Sequence, residues 1–225
     1  MAANNEATTI SCFGAACEFR RTATYDCVAK DTLGALANAS GLTTITGNGT
    51  GVDTVTVGAG FTNALTINLA TGDDNISASA SAAALTVAAA AASITTADSL
   101  VGGTGASDVL SLTADNNGTG AAFGSSVSGF ETITVVASTT ASDDIKITTN
   151  NGMVTDNTGS LTVNATALTD SGAVLTFVSN ENSTATINVT GGAGDDLLTA
   201  GVEKSNFSGG AGNDTYVYAL LADLI

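Results

Sequence analysis

Toward its carboxyl end the chain reads Gly191-Gly-Ala-Gly-Asp-Asp-Leu-Leu-Thr199, and eighteen residues further on it reads Gly209-Gly-Ala-Gly-Asn-Asp-Thr-Tyr-Val217. Both stretches fit the nonapeptide Gly-Gly-x-Gly-x-Asp-x-apolar-x, in which six residues form a turn and three form a short strand. Nine residues then make half a coil and eighteen make a full coil. The two turns are therefore predicted to stack on one edge of a parallel β-roll, one strand spacing of about 4.8 Å apart.

These two turns carry the ligands that calcium prefers. Ca²⁺ takes about six to eight hard oxygens, which carboxylates and backbone carbonyls supply. Glycine permits the backbone conformations that turn those carbonyls toward a shared point. Stacked aspartates repel each other without an ion, so calcium binding and folding are predicted to be coupled. The predicted ligands are the carboxylates of Asp196 and Asp214 and the carbonyls around Gly192, Gly194, Gly210 and Gly212.

The nine residues between the two copies keep only part of the pattern. An apolar residue recurs every nine positions, at Leu198, Phe207 and Tyr216, and is predicted to point inward. The turn itself has no Asp at its sixth position and contains Glu203 and Lys204 instead. We therefore expect no calcium at this opposite edge, where Lys204 is the candidate cation.

Weaker copies of the turn occur upstream. Asp53 lies in Asn48-Gly-Thr-Gly-Val-Asp-Thr-Val-Thr56, Asp74 in Thr71-Gly-Asp-Asp-Asn-Ile76, and Asp108 in Gly102-Gly-Thr-Gly-Ala-Ser-Asp-Val-Leu110. Each Asp is either a calcium ligand or part of an ordinary Asx turn, and the residues leave both open. Gly51 and Gly72 are 21 residues apart rather than 18, which predicts a less regular solenoid or sheet in this region.

From about Gly41 onward, apolar residues alternate with Thr or Ser in short runs, the period of a strand with one buried and one exposed face. The Ala-rich stretch 82–92 is also predicted to be strand rather than helix. Together with the repeats, these runs predict an all-β parallel solenoid. The predicted strands are Leu42–Thr46, Thr54–Val57, Ala64–Leu69, Leu85–Val87, Val109–Thr113, Glu131–Val136, Ile145–Thr149, Leu161–Ala165, Val174–Val178 and Ala185–Val189.

Composition excludes several function classes. The 225 residues include 21 acidic and 5 basic side chains, for a net charge of −16, and contain no His, Pro or Trp. The absence of His excludes His-ligated zinc sites and Ser-His-Asp triads, and so acidic a chain argues against nucleic acid as a partner. The adjacent carboxylate pairs, such as Asp73-Asp74, lie in turns or point to opposite faces of a strand, so we expect no enzyme.

The first 40 residues differ in composition from the rest and are predicted to be a short non-solenoid head or docking segment, which could contact other shell or surface proteins. They contain Cys12, Cys17 and Cys27, which allow incidental thiols or one disulfide. They lack the pattern of a secretory signal peptide, and the sequence predicts no membrane span. The predicted divisions are this head, an irregular β-solenoid or stacked-sheet region over 41–190, and a calcium β-roll with a carboxyl-terminal cap over 191–225.

The nonapeptides resemble those of the RTX (repeats-in-toxin) family. The run from Gly102-Gly-Thr-Gly to Gly129-Phe-Glu-Thr-Ile-Thr-Val135, with the Thr/Ala-rich strands after it, is similar to RTX-type bacterial S-layer proteins. This resemblance implies a calcium-dependent β-solenoid that assembles into a surface lattice after type I secretion. The three cysteines depart from the family, and so does the position of Ile225, eight residues past the last repeat. We therefore expect either a piece of a longer protein or another route out of the cell, such as release with a phage.

These features together predict a non-catalytic, calcium-stabilised structural protein that binds copies of itself in an extracellular or cell-surface array. The alternatives are a virion decoration or fibre protein tethered by residues 1–40, and an RTX-type adhesin fragment. Ice binding through the Thr-rich face would require a regular Thr-x-Thr ladder, and along the sequence the Thr pairs do not hold one period.

Overall fold

The computed structural model describes residues 23–24, 32–39, 41–47, 49–105, 107–115, 120–138, 143–151, 153–154, 159–181 and 185–218. Within these residues the protein is an all-β solenoid of parallel strands, which confirms the predicted fold class. The described helical segments are the short α1 (Ala35–Ala39) and a 3₁₀ turn (Ala91–Ser93). The three cysteines lie outside the described residues, so their oxidation state stays open.

One long sheet, which we call sheet A, forms a continuous face of the solenoid. Every pairing in it is parallel, because each coil brings the chain back in the same direction. Its nine described strands are, in order, β1 (Ala23–Thr24), β3 (Thr44–Thr46), β5 (Leu65–Asn68), β7 (Leu85–Ala90), β9 (Val109–Thr113), β12 (Thr132–Val136), β14 (Ser160–Asn164), β16 (Thr186–Thr190) and β18 (Lys204–Ser208).

Two shorter parallel sheets provide the other strand of each coil. Sheet B serves the first coils and sheet C the later ones, and the coil between β9 and β12 contributes one strand to each. Sheet B has the order β11 (Val127–Ser128), β8 (Ser99–Val101), β6 (Asn75–Ser77), β4 (Thr54–Val57), β2 (Thr32–Leu33). Sheet C has the order β10 (Ala121–Ala122), β13 (Ile145–Thr148), β15 (Leu175–Val178), β17 (Leu197–Thr199), β19 (Thr215–Val217).

The core is one continuous cluster of buried side chains between the sheets. Alternate residues of each strand enter it, as the period of two in the sequence predicts. In sheet A these residues form an aliphatic row along the solenoid axis, because the parallel register places like residues above one another. The row consists of Ile45, Ile67, Val87, Leu110, Ile133, Val163 and Val189.

Coil length varies along the chain while strand register is kept. Thr186 pairs with Lys204, eighteen residues on, whereas Thr132 pairs with Thr162, thirty residues on. The extra residues lie in the turns and loops between paired strands. This agrees with the less regular solenoid expected from the 21-residue spacing of the upstream glycines, and Val55 still pairs in register with Ile76 on stacked coils. Strand β16 also joins the predicted 41–190 and 191–225 regions, since it pairs with both β14 and β18.

No helix among the described residues has the length and hydrophobicity required to cross a membrane.

Candidate functional site

Acidic side chains concentrate at the two edges of the solenoid, where the chain leaves one sheet for another. At the first edge the chain passes from sheet A to sheet B or C, and at the second edge it returns to sheet A. The first edge carries Asp53, Asp74, Asp98, Asp143, Asp196 and Asp214, and the second edge carries Asp108, Glu131, Glu181 and Glu203. Most of these side chains are buried, which is unusual for carboxylates and requires partners for their oxygens.

The structure stacks the two predicted calcium turns. Leu198 pairs with Tyr216, so the turns eighteen residues apart lie on neighbouring coils of the first edge. The backbone N–H of Asp196 donates to Oδ1 of Asp214 at 3.1 Å. Asp196 is 1% exposed and Asp214 is half-buried. The two residues predicted as carboxylate ligands are therefore on adjacent coils, and the backbone of one is hydrogen-bonded to the carboxylate of the other.

The buried carboxylate of Asp196 also holds its own coil and the coil before it. Its Oδ1 accepts the N–H of Leu175 at 2.7 Å, and its Oδ2 accepts the N–H of Gly192 at 2.8 Å. Burial raises the pKa of Asp196 above its ordinary value, against these two hydrogen bonds, and the carboxylates of Asp214 and Asp195 add to the rise. Asp196 thus has a structural role that needs no ion.

The four predicted turn glycines meet in pairs. Gly210 and Gly212 have φ angles of 103° and 105°, a conformation that favours glycine. A Cβ on Gly210 would collide with the carbonyl oxygen of Gly192, and a Cβ on Gly212 with that of Gly194. The carbonyls of one turn therefore face the backbone of the next, and the Gly192 carbonyl accepts the N–H of Ala211 at 3.0 Å.

The residues of this turn pair fit a hard cation in their chemistry. All of the candidate donors are carboxylate or carbonyl oxygens. An ionised carboxylate has about four acceptor positions, so Asp196 keeps acceptor capacity beyond its two backbone hydrogen bonds. No group of three or more Asp, Glu or Cys side chains that could hold a metal occurs among the described residues, so carbonyls would have to supply part of any coordination shell.

The three apolar residues predicted to point inward, at every ninth position, differ in their burial. Leu198 is fully buried and Phe207 is partly buried against the core, but Tyr216 is 43% exposed. Tyr216 pairs in register with Leu198 and so lies on the same side of sheet C, but no described strand stacks beyond β19 to cover it. The Tyr216 hydroxyl instead accepts the N–H of Gly209 at 2.8 Å.

Upstream, Asp53 and Asp74 form a ladder with a third carboxylate at the first edge. Oδ1 of Asp74 accepts the N–H of Asp53 at 2.8 Å, and Oδ1 of Asp98 accepts the N–H of Asp74 at 2.7 Å. The three side chains are 5%, 3% and 1% exposed, in chain order. Sequence reasoning missed Asp98, because Ile94-Thr-Thr-Ala-Asp98 contains no glycine.

Burial raises the pKa of Asp74 to about 6, and the carboxylates of Asp53, Asp98 and Asp73 add to the rise against the hydrogen bond from the Asp53 amide. Between pH 4 and 6 the folded chain therefore keeps a proton on Asp74 that the unfolded chain has lost. The free energy of unfolding consequently falls as pH rises through this window, by about 2 kcal/mol for this group.

We predict that Asp74→Asn abolishes this part of the pH dependence and raises the free energy of unfolding at pH 7 in the presence of chelator. The Asn Oδ1 can still accept the Asp53 amide, while the buried charge is removed. Urea unfolding at pH 4, 6 and 7 measures the effect, and Asp170→Asn at an exposed turn is the control. An unchanged slope in Asp74→Asn would contradict the assignment.

Asp108 lies on the second edge, whereas the other predicted carboxylate ligands lie on the first edge. It is 0% exposed, and its carboxylate accepts the N–H of Leu85 at 2.8 Å and of Gly103 at 2.7 Å. Its own N–H donates to Oε2 of Glu131 at 2.6 Å. Burial is the main cause that raises the pKa of both Asp108 and Glu131. The turn before Asp108 has one residue more than the nonapeptide. The Asp108 carboxylate nevertheless accepts the Gly103 amide and so closes the turn.

The outer face of sheet A differs from the edges because it has almost no charge. Lys204 is the one charged residue within its described strands. The register aligns two rows of mainly Thr, Asn and Ser side chains along this face, which we call the sheet A face. The first row is Thr44, Thr66, Thr86, Val109, Thr132, Thr162, Asn188 and Asn206, and the second is Thr46, Asn68, Ala88, Ser111, Thr134, Asn164, Thr190 and Ser208.

Some neighbours within these rows are joined by hydrogen bonds. Nδ2 of Asn206 donates to Oδ1 of Asn188 at 2.8 Å, and Nδ2 of Asn68 donates to Oγ1 of Thr46 at 3.3 Å. The turns absorb the irregular sequence spacing, so the polar residues stack in register. A Thr-x-Thr pair occurs in only two of these eight strands, at Thr44 and Thr46 and at Thr132 and Thr134, so the rows are not a regular Thr-x-Thr ladder.

The chain matches no protein family, no curated protein and no solved structure.

Proposed function

We propose that this chain is a non-catalytic structural protein that associates with copies of itself into an array outside the cell, with calcium stabilising its turns. The observation that carries the proposal is the uncharged sheet A face on a chain with a net charge of −16. Copies of so acidic a chain repel each other where carboxylates meet. The repulsion is smallest where both copies present the uncharged rows, so lateral contact is favoured at that face.

The proposed calcium site lies at the first edge of the solenoid. Asp196 and Asp214, with the carbonyls of Gly192 and Gly194, are the residues that would hold it. A bound cation would offset the buried negative charge of this edge and favour folded over unfolded chains, since the site exists only when the coils are stacked. Asp53 and Asp74 lie on the same edge and are secondary candidates for the same role.

The buried acids also support a non-catalytic role. A glycosidase needs two carboxylates that face a substrate across a defined gap. Asp74, Asp108 and Asp196 instead accept backbone amides of their own turns and of neighbouring coils. Their oxygens act as hydrogen-bond acceptors for backbone amides of the solenoid.

The same rows favour an adhesin as the second candidate function. Hydroxyl and amide groups repeated at the strand spacing of about 4.8 Å suit a flat ligand with its own repeat, such as ice or a polysaccharide surface. An adhesin of this kind would bind its ligand as a monomer, whereas an array protein would bind copies of itself.

We predict that Thr134→Glu, at the centre of the sheet A face, prevents calcium-dependent self-association. The substitution places like charges opposite each other where two copies meet, and we expect at least a tenfold weaker association. Analytical ultracentrifugation over a range of protein concentrations, with calcium and then with chelator, measures it. The matched control is Thr176→Glu, which adds the same charge to the outer face of sheet C.

Three outcomes are informative. Assembly of wild type and Thr176→Glu, but not of Thr134→Glu, supports the array. A wild type that stays monomeric at high concentration with calcium rejects it, and ice or polysaccharide binding by that monomer favours the adhesin. Equal assembly of both variants would show that the contact lies elsewhere.

A further inference from the structure

The second edge contains a buried carboxylate oxygen with no hydrogen-bond partner. Glu203 is 1% exposed, and its Oε2 has no partner in the structure. Its Oε1 accepts the hydroxyl of Ser205 at 2.9 Å and the N–H of Gly201 at 3.2 Å. One half of the carboxylate is therefore held in place while the other half is unsatisfied in the interior, which is costly for a charged group.

Other acceptors surround the unsatisfied oxygen. The space beside the α-carbon of Gly201, which any side chain would fill, is bordered by Oε2 of Glu203 and by two backbone carbonyls of the preceding coil. The carbonyl oxygens of Glu181 and Ser179 lie 2.5 Å and 3.2 Å from the position of a Cβ on Gly201. Three oxygens thus converge from two coils, and none of them can donate a hydrogen bond to another.

Neither lysine of the described residues offsets the charge of Glu203. Both lysines of the described residues, Lys146 and Lys204, are exposed. Lys204 is on the outer side of β18 and makes no ion pair with Glu203 within the described structure. The Glu181 side chain, one coil away, is also 1% exposed, so a second buried carboxylate belongs to the same edge. The expectation that Lys204 supplies the cation therefore has no support in the geometry.

We propose that this edge binds a hard divalent cation, most simply Ca²⁺, through Oε2 of Glu203 and the carbonyls of Ser179 and Glu181. Carboxylate and carbonyl oxygens are the donors that Ca²⁺ prefers, and a cation would satisfy the unpartnered oxygen of Glu203. The sequence predicts no calcium here, because the sixth position of the turn is Ser205 rather than Asp. The structure points to Glu203, from a different position of the turn, as the charged ligand. The site is independent of the first edge and of self-association.

The test counts bound calcium in the full-length chain by equilibrium dialysis followed by elemental analysis. We expect Glu203→Gln to bind one ion fewer than wild type and to show a smaller calcium-induced rise in Tm. The control is Asp170→Asn, which also removes one carboxylate, but at an exposed turn whose Oδ1 can still accept the Gly172 amide. Asp214→Asn reports on the first edge separately.

Full calcium stoichiometry and an unchanged rise in Tm in Glu203→Gln would overturn the proposal, as would the absence of bound calcium in wild type. If Glu203→Gln fails to fold, amide hydrogen exchange of wild type replaces it. We then expect calcium to slow exchange at the amides of Gly201 and Val202, which donate to Oε1 of Glu203 at 3.2 Å and to the Glu181 carbonyl at 3.2 Å. Equal exchange with calcium and with chelator at these amides would reject the site.

Discussion

Replacing Asp196 with alanine is expected to lower the free energy of unfolding by about 2–5 kcal/mol even when chelator removes all calcium. The substitution leaves the amides of Leu175 and Gly192 without their acceptor, and each unsatisfied buried amide costs about 1–3 kcal/mol. Asp196→Asn should be less damaging, because its Oδ1 can still accept the Leu175 amide. Its Nδ2, however, would oppose the Gly192 amide.

Urea unfolding of wild type, Asp196→Ala and Asp196→Asn, in chelator and in calcium, separates the two roles of this carboxylate. The matched control is Asp195→Ala, since the exposed Asp195 accepts only the Asn213 amide at 2.7 Å among its described contacts. We expect this control to change stability by less than about 1 kcal/mol. If Asp196→Ala matches wild type in chelator and differs only in calcium, the carboxylate acts as a metal ligand and has no metal-independent role.

The Gly-x-Asp pattern has two physical explanations, closure of the turn and binding of a cation, and the structure shows the first of them at Asp196. The glycine at the start of the turn lets the carboxylate fold back, and a Cβ on Gly191 would collide with Oδ2 of Asp196. The same relation holds between Gly209 and Asp214. The spacing of glycine and Asp therefore allows the turn to close whether or not a cation is bound. Calcium binding is measured separately, by comparing unfolding in calcium and in chelator.

The strands were predictable because their determinant is local. Alternation of apolar residues with Thr or Ser marks which side of a strand is buried, and all ten predicted strands occur with shifts of a few residues at their ends. The Ala-rich stretch likewise forms β7 (Leu85–Ala90) before a single 3₁₀ turn. The eighteen-residue spacing also predicted the register of β17 and β19 correctly.

The contacts between coils were not predictable in the same way. Several edge carboxylates, such as those of Asp74, Asp98 and Glu131, accept a backbone amide one coil away, at a separation that depends on how many residues the turns absorb. Asp98, Glu131 and Glu203 each complete a hydrogen bond at an edge, yet none has the full glycine pattern around it. A search for Gly-x-Asp therefore finds some members of the ladders and misses the others, because burial and stacking select the carboxylates.

A second large effect is expected at Gly102, whose backbone lies directly against the backbone of Gly129 on the neighbouring coil of sheet B. A Cβ at this position would lie 2.5 Å from the carbonyl carbon of Gly129 and closer still to its oxygen. The Gly102 amide donates to the Ser128 carbonyl at 2.9 Å, so the two backbones are held at this distance. Gly102→Ala must separate β8 from β11, and we expect it to lower the free energy of unfolding by about 3 kcal/mol.

The matched control is Gly34→Ala, because nothing lies within 4 Å of a Cβ at Gly34. Its stability should stay within about 0.5 kcal/mol of wild type. Urea unfolding gives the overall loss, and amide exchange at Leu100, which donates to the Ser126 carbonyl at 3.1 Å, localises it to β8 and β11. Equal stability of the two variants would mean that the coils do not approach this closely. Loss confined to Gly102→Ala would show that backbone contact, and not glycine flexibility, selects the residue at the point where sheet B gives way to sheet C.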